Sequence, residues 1–219
     1  MIWDNTYWVK YWSKPYTKIN YKWNNIQITW EDKDIDYWII INKPCDNSYY
    51  NPAKTIIYQM EPQCDNPDQF WGVKTWGEWA NPDPNKFLQV RTSKTHLNNV
   101  LWQFPLTYNY FKTESIKKNE STSKIISSIC SSKYFDPGHI KRIDFLKYIE
   151  ERADPDVQIH IYNRDNIHEF KSWKGKLEPY VDKHLGIVPY KYYFMCENNA
   201  ESNFITEKIW EPIISETLV

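Results

Sequence analysis

Residues Tyr190 to Glu211 read YKYYFMCENNAESNFITEKIWE, and the understanding of the whole chain turns on them. An aromatic and apolar run, Tyr192 to Cys196, stops abruptly at Glu197-Asn198-Asn199. After a polar interval, Thr206-Glu207-Lys208 opens a segment with helical spacing. The pattern predicts a buried strand, a polar crossing loop and a helix N-terminus, in that order. In an open α/β sheet such a unit sets backbone N–H groups and a positive helix end just outside the carboxyl end of a strand, where phosphate-bearing ligands bind. Taken alone, the same wording also fits an ordinary capped helix with its acid first.

Upstream, a second unit of the same kind is expected. Ile125 to Ser132 reads as a short strand ending in serines, followed by Asp136-Pro137-Gly138-His139-Ile140-Lys141-Arg142 and then the helix-periodic Ile143, Phe145, Leu146 and Ile149. Lys141 and Arg142 stand in the first turn, where the helix dipole favours acids, so an anion between them and the N–H groups would relieve the conflict. Arg suits that task because its charge is permanent and its planar fork holds two phosphate oxygens at once.

The two stretches together resemble the α1,3-fucosyltransferases, an inverting family of two-domain glycosyltransferases. The likeness is carried by Glu197, Asn198, Phe204, Ile205, Thr206, Glu207, Lys208 and Trp210, and by the spacing of Arg142 to Phe145 after a Ser-terminated strand. It is strong over 190–211, moderate over 125–146 and loose over the rest of 26–219. It implies an α/β chain of GT-B type, two Rossmann-like halves around a cleft, with the second half incomplete because Thr217-Leu218-Val219 looks like the first residues of a further parallel strand. It also implies transfer of a sugar, fucose by the likeness, from a nucleotide diphosphate donor such as GDP-fucose to a glycan hydroxyl. Glu61 falls where the family carries its general base. Arg142 and Lys208 would neutralise the departing diphosphate, so that no metal or other cofactor is required. Asn198 would bond a phosphate or ribose oxygen, and Glu207 the ribose hydroxyls. Phe204 departs from the family, which usually has Tyr there, and the missing hydroxyl removes one polar contact to the donor. Two other readings stay open: an inactive relative that only binds nucleotide sugar or glycan, and a sugar-binding module built on surface aromatics.

The remaining residues supply the frame. Ile26 to Trp30, Tyr37 to Asn42, Thr55 to Met60, Phe87 to Val90 and Val157 to Asn163 are expected strands. Glu61-Pro62 closes the third of these, placing a carboxylate at a strand end. Lys112 to Lys124 lacks large apolar residues and reads as an interdomain linker, which divides the chain into 1–112, a linker 113–124 and 125–219. Trp173 to His184 is expected as loop or helix. Asp34/Asp36 and Asp154/Asp156 could be mistaken for metal-binding Asp-x-Asp pairs, but the first lies at a strand's beginning and the second encloses a proline, so both read as connections.

Composition narrows the classes further. Lys and Arg number 27 against 28 Asp and Glu, so the whole-chain field offers no attraction to nucleic acid or a membrane surface. Only 5 Gly occur and there is no Gly-x-Gly-x-x-Gly, against a dinucleotide fingerprint. Cys45, Cys64, Cys130 and Cys196 are scattered and read as reduced thiols. His96, His168 and His184 have no partner at metal-ligand spacing. With no leader or membrane-length apolar run visible, a cytoplasmic location is expected.

Overall fold

Short Ile-rich runs punctuated by Asn, Pro and Ser build two parallel sheets. The computed structural model describes residues 22–29, 31, 33–44, 48–62, 76–97, 104–152 and 156–219. Trp30, Cys45, Cys64 and the Asp154-Pro155 pair lie outside them. The chain divides into two compact units, Met1–Asn99 with Glu201–Ile205, and Val100–Ala200 with Thr206–Val219.

In the first unit β1 (Lys22–Trp23) and β2 (Ile26–Gln27) form an antiparallel pair turned by Asn24 at φ 52. β3 (Trp38–Ile41), β4 (Thr55–Gln59) and β5 (Gln89–Thr92) form a parallel sheet with β4 in the centre. Asp34 and Asp36 precede β3 as turn residues, with Asp34 at φ 57. Along β4 the side chains alternate between buried and half-buried, and Ile57 is fully buried against Ile40, Trp76 and Trp79. Trp79 packs edge-on to Tyr50 at 5.9 Å, so these aromatics serve the core.

The second unit begins with α1 (Tyr108–Thr113), capped by Thr107, whose hydroxyl accepts from Tyr110 N–H. Then follow β6 (Ile125–Ile129), α2 (Pro137–Arg152), β7 (Gln158–Tyr162), β8 (Trp173–Gly175), β9 (Tyr192–Tyr193) and α3 (Glu207–Ile214). All pairings are parallel, in the order β8-β7-β6-β9. Ile143 and Leu146 of α2 pack on Ile159 and Ile161 of β7 in the core. The molecule is therefore mixed α/β with parallel sheets, compatible with a Rossmann-like arrangement.

Three expectations are modified. The stretch Trp173 to His184 is loop and a 3-10 turn at Lys183–Gly186 as expected, except that Trp173–Gly175 forms the edge strand β8, paired through Trp173 with Ile161. The strand expected over Tyr192 to Cys196 is regular only over Tyr192–Tyr193; Phe194 N–H still donates to Ser127 O of β6 (2.8 Å), and beyond it the backbone leaves the ladder. The stretch 113–124 is built into the second unit, and the division falls at Asn99/Val100. Lys118 explains why: its ammonium donates to Val188 O (3.0 Å), Ser215 O (2.6 Å) and Thr217 Oγ1 (2.7 Å). Burial, partly offset by the charge of Glu216, pushes that amine down to about 8. A polar composition hides such a clip, because the apolar stem and the charged tip of Lys serve different surroundings. Leu218 does form a parallel bridge with Tyr192, as the reading of the last three residues requires.

Candidate functional site

The order β8-β7-β6-β9 carries a topological consequence. From β6 the chain proceeds outward through β7 and β8, then returns to pair β9 on the other side of β6. The carboxyl ends of β6 and β9 thus flank a switch point, the place where open α/β sheets bind ligands. Two segments leave it in opposite directions: 130–136, which leads into α2, and 194–199, which leads toward α3.

Gly138 brings these segments together. Its N–H, one of the orphan donors of the first helical turn, donates to Asn198 O at 3.1 Å. A Cβ at this position would collide with the carbonyl oxygens of Glu197 and Asn198, so only glycine permits the approach. Arg142, one turn further, is 2% exposed. Its Nη1 donates to Cys196 O (3.1 Å) and its Nη2 to Ser131 Oγ (3.2 Å), while Nε has no hydrogen-bond partner. Among the described residues no carboxylate pairs with it. A buried guanidinium held only by neutral acceptors leaves a fixed positive charge uncompensated at the switch point.

Glu197 faces the other way. Its carboxylate accepts from Thr206 N–H (2.9 Å), Thr206 Oγ1 (2.7 Å) and Lys208 Nζ (3.2 Å). Thr206 is the N-cap of α3, as expected, so Glu197 satisfies the cap residue's own N–H in the manner of a capping box drawn from a distant segment. Lys208 also lies 3.4 Å from Glu207, which is 6% exposed. Burial, the largest influence on Glu207, raises its carboxyl, but the charges of Lys208 and Lys183 with local hydrogen bonds outweigh it and hold the group below the usual range. Burial likewise lowers the Lys208 amine, and Glu207 with Glu197 reverses the direction. Both stay charged.

His139 completes the cluster. It is 2% exposed, and its Nδ1 lies 3.3 Å from Asp136 Oδ2. Burial, with the charges of Arg142, Lys133 and Lys208, pushes the imidazole down to about 4 against a hydrogen bond with Asn198 that raises it. The ring is neutral near pH 7. Because the unfolded chain takes that proton near 6.5 and the folded chain only near 4, the unfolded state binds more protons between the two values, and stability is lost as pH falls through this window. His160 and His184, lowered chiefly by burial, act in the same direction, whereas the raised Asp136 carboxyl opposes them. Urea denaturation across this range is expected to show the decline, and His139→Gln is expected to flatten it.

The structure therefore gathers Arg142, Asn198, Glu207 and Lys208 in the second unit. Glu61 and Phe204 belong to the first. Glu61 stands two residues beyond β4, half-buried, its N–H donating to Gln59 Oε1 at 3.0 Å, with Met60 N–H bonded to Asn42 Oδ1 at 2.7 Å. The strand end that carries it is thus tied down. Phe204 is half-buried, its N–H bonded to Glu201 O. Phe145 contributes by packing on Phe194, ring centroids 4.7 Å apart.

Sequence reasoning missed Gly138, His139 and the carboxylate role of Glu197. The i, i+3 spacing of His139 and Arg142, which sets both on one helix face, was the available signal for the second of these. Cys130 is buried and burial pushes its thiol up to about 11, so the expectation of an inert structural cysteine holds there; Cys196 is also free. Among the described residues no group of His, Cys, Asp and Glu could hold a metal ion, and no helix is long and apolar enough to cross a membrane. Comparison with protein-family models, curated proteins and solved structures finds no match to this chain.

Proposed function

We propose that the second unit is the donor site of an inverting glycosyltransferase of GT-B type resembling the α1,3-fucosyltransferases. The observation that carries this reading is Arg142: a buried cation with no carboxylate partner among the described residues, beside a helix N-terminus at the sheet's switch point. A nucleoside diphosphate supplies the missing anion. In the reaction the acceptor oxygen bonds to the anomeric carbon as the bond from that carbon to the diphosphate breaks, through an oxocarbenium-like transition state. The acceptor's proton passes to Glu61, and the departing diphosphate keeps its electron pair and is neutralised by Arg142 and Lys208, in place of a divalent metal. Asn198 bonds a phosphate or ribose oxygen and Glu207 the ribose hydroxyls. GDP-fucose is the proposed donor and a glycan hydroxyl the acceptor.

The engagement of Lys208 by two carboxylates favours a second reading, in which the chain binds the donor without transferring it. Calorimetry tests the site common to both. GDP is expected to bind, and Lys208→Met to weaken it by roughly ten- to a hundredfold, as for a lost charge-assisted hydrogen bond. A wild-type chain that binds none of GDP, UDP and ADP overturns the donor-site reading.

A further inference from the structure

Glu197 is held between two helices. The residues on either side of it are tied to α2: Arg142 Nη1 donates to Cys196 O (3.1 Å) and Gly138 N–H to Asn198 O (3.1 Å). Its carboxylate is tied to the start of α3. Oε1 accepts from both the N–H and the hydroxyl of Thr206 (2.9 and 2.7 Å), and Oε2 accepts from the Lys208 ammonium (3.2 Å). One residue thus joins the first turns of α2 and α3.

The join decides where the charge of Lys208 stands. A lysine ammonium is a point charge on a flexible four-carbon stem, and unheld it samples many positions. Here Nζ donates to Glu197 Oε2 and to Thr206 Oγ1 (2.9 Å), and the second bond depends on the first carboxylate. The Thr206 hydroxyl gives its proton to Glu197, which leaves its lone pairs for Lys208. Glu207 lies 3.4 Å from Nζ and adds charge, but Glu197 is the carboxylate whose backbone neighbour is bonded to Arg142. The Lys208 side chain keeps 22% of its surface exposed, so the held ammonium can still meet a ligand.

We propose that Glu197 is a positioning residue for donor binding: by holding Lys208 Nζ at a set distance from the Arg142 guanidinium it makes the site select a nucleoside diphosphate over a monophosphate. The role rests on the donor-site reading above. A carboxylate beside a cation weakens its attraction for any anion, so Glu197 would be a liability if charge alone governed binding. That loss is offset where placement counts for more than charge. Two cations at a fixed spacing meet two phosphate groups together without further ordering, whereas a single phosphate group gains nothing from the spacing.

Calorimetry with GDP and GMP on the full chain tests this, each variant being checked for folding by thermal melting. Wild type is expected to prefer GDP by roughly ten- to a hundredfold, the contribution of charge-assisted bonds to the second phosphate group. Glu197→Gln keeps an oxygen for Thr206 but turns an N–H group toward Lys208, and the preference is expected to fall about tenfold. Glu197→Asp keeps the charge but is a methylene too short to reach both partners, and the same fall is expected. In a Lys208→Met background neither change is expected to alter the preference further, since the effect passes through Lys208. A preference unchanged in either variant, a further fall in the Lys208→Met background, or tighter GDP binding in Glu197→Gln overturns the proposal. A readout without nucleotide separates this from failure of the donor site. The two ε-methylene proton signals of Lys208, identified by their absence in Lys208→Met, are expected to be distinct in wild type, where the side chain is held, and to merge in both Glu197 variants as it turns freely. Signals that stay distinct in both variants overturn the positioning role. Signals that merge, where the wild-type chain binds neither GDP nor GMP, support the hold of Glu197 on Lys208 and remove the donor site instead.

Discussion

Replacing Lys183 with Met is expected to destabilise the second unit by about 3–5 kcal/mol, the usual consequence of removing one partner from a buried ion pair. Lys183 is 7% exposed and Glu211, on α3, is fully buried; Nζ and Oε2 are 2.5 Å apart. The lysine's charge also helps hold Glu207 ionised. Without it, one buried carboxylate loses its counter-ion and a second loses part of its support. Neither can reach water without opening the N-terminal half of α3. Tyr193 stands nearby, its hydroxyl pushed up first by burial and then by Glu211, so it offers no charge to compensate. Urea denaturation followed by circular dichroism measures the loss. The double variant Lys183→Met/Glu211→Leu is expected to recover most of it, because an apolar pair leaves no charge to solvate. A single variant that costs less than about 1 kcal/mol would mean that Glu211 is neutral in the folded chain, the ion pair notwithstanding.

Under the proposed function, Glu61→Gln is expected to lower sugar transfer by about 10²–10⁴-fold, the contribution of a positioned general base. The isosteric amide retains the size and the hydrogen-bonding reach of the carboxylate but cannot take the acceptor's proton. Because Gln59 and Asn42 brace the strand end independently of that charge, stability is expected to change little. GDP affinity is also expected to hold, since Arg142, Asn198, Glu207 and Lys208 lie in the other unit. Steady-state transfer assays with GDP-fucose and a panel of glycan acceptors, run beside calorimetry, separate these effects. Wild-type turnover in Glu61→Gln removes Glu61 from the mechanism. Donor binding without turnover in the wild-type chain favours the binding-only reading.

The elements that sequence reasoning located well were those whose signal is local. β6, β7 and α2 follow from runs of Ile and from helical spacing, and the Thr206 cap follows from a residue type whose hydroxyl suits one backbone position. β8 escaped because Trp173-Lys174-Gly175 is too short and too polar to show a period, and it is a strand only because Ile161 offers it a ladder. The expected strand at Tyr192 to Cys196 overran for the opposite reason: its residues are apolar to the end, but β6 pairs with only two of them. The stretch around Lys118 looked like a linker because the acceptors that organise it lie about 70 and 97 residues away.

The same division applies to the site at Tyr190 to Glu211. The sequence alone supplied its residue types and spacing: which residues carry charge, which cap the helix, and that Asn198, Glu207 and Lys208 fall at a spacing that resembles a nucleotide-sugar motif. It could do so because residue type and near-neighbour spacing are properties of the chain itself. The tertiary structure decided that Arg142 is buried with no carboxylate partner among the described residues, and that Gly138 admits the backbone of Glu197 and Asn198. Those facts depend on the return of the chain from β8 to the far side of β6. No local pattern encodes such a return, because it is selected by the burial of apolar faces over the whole sheet.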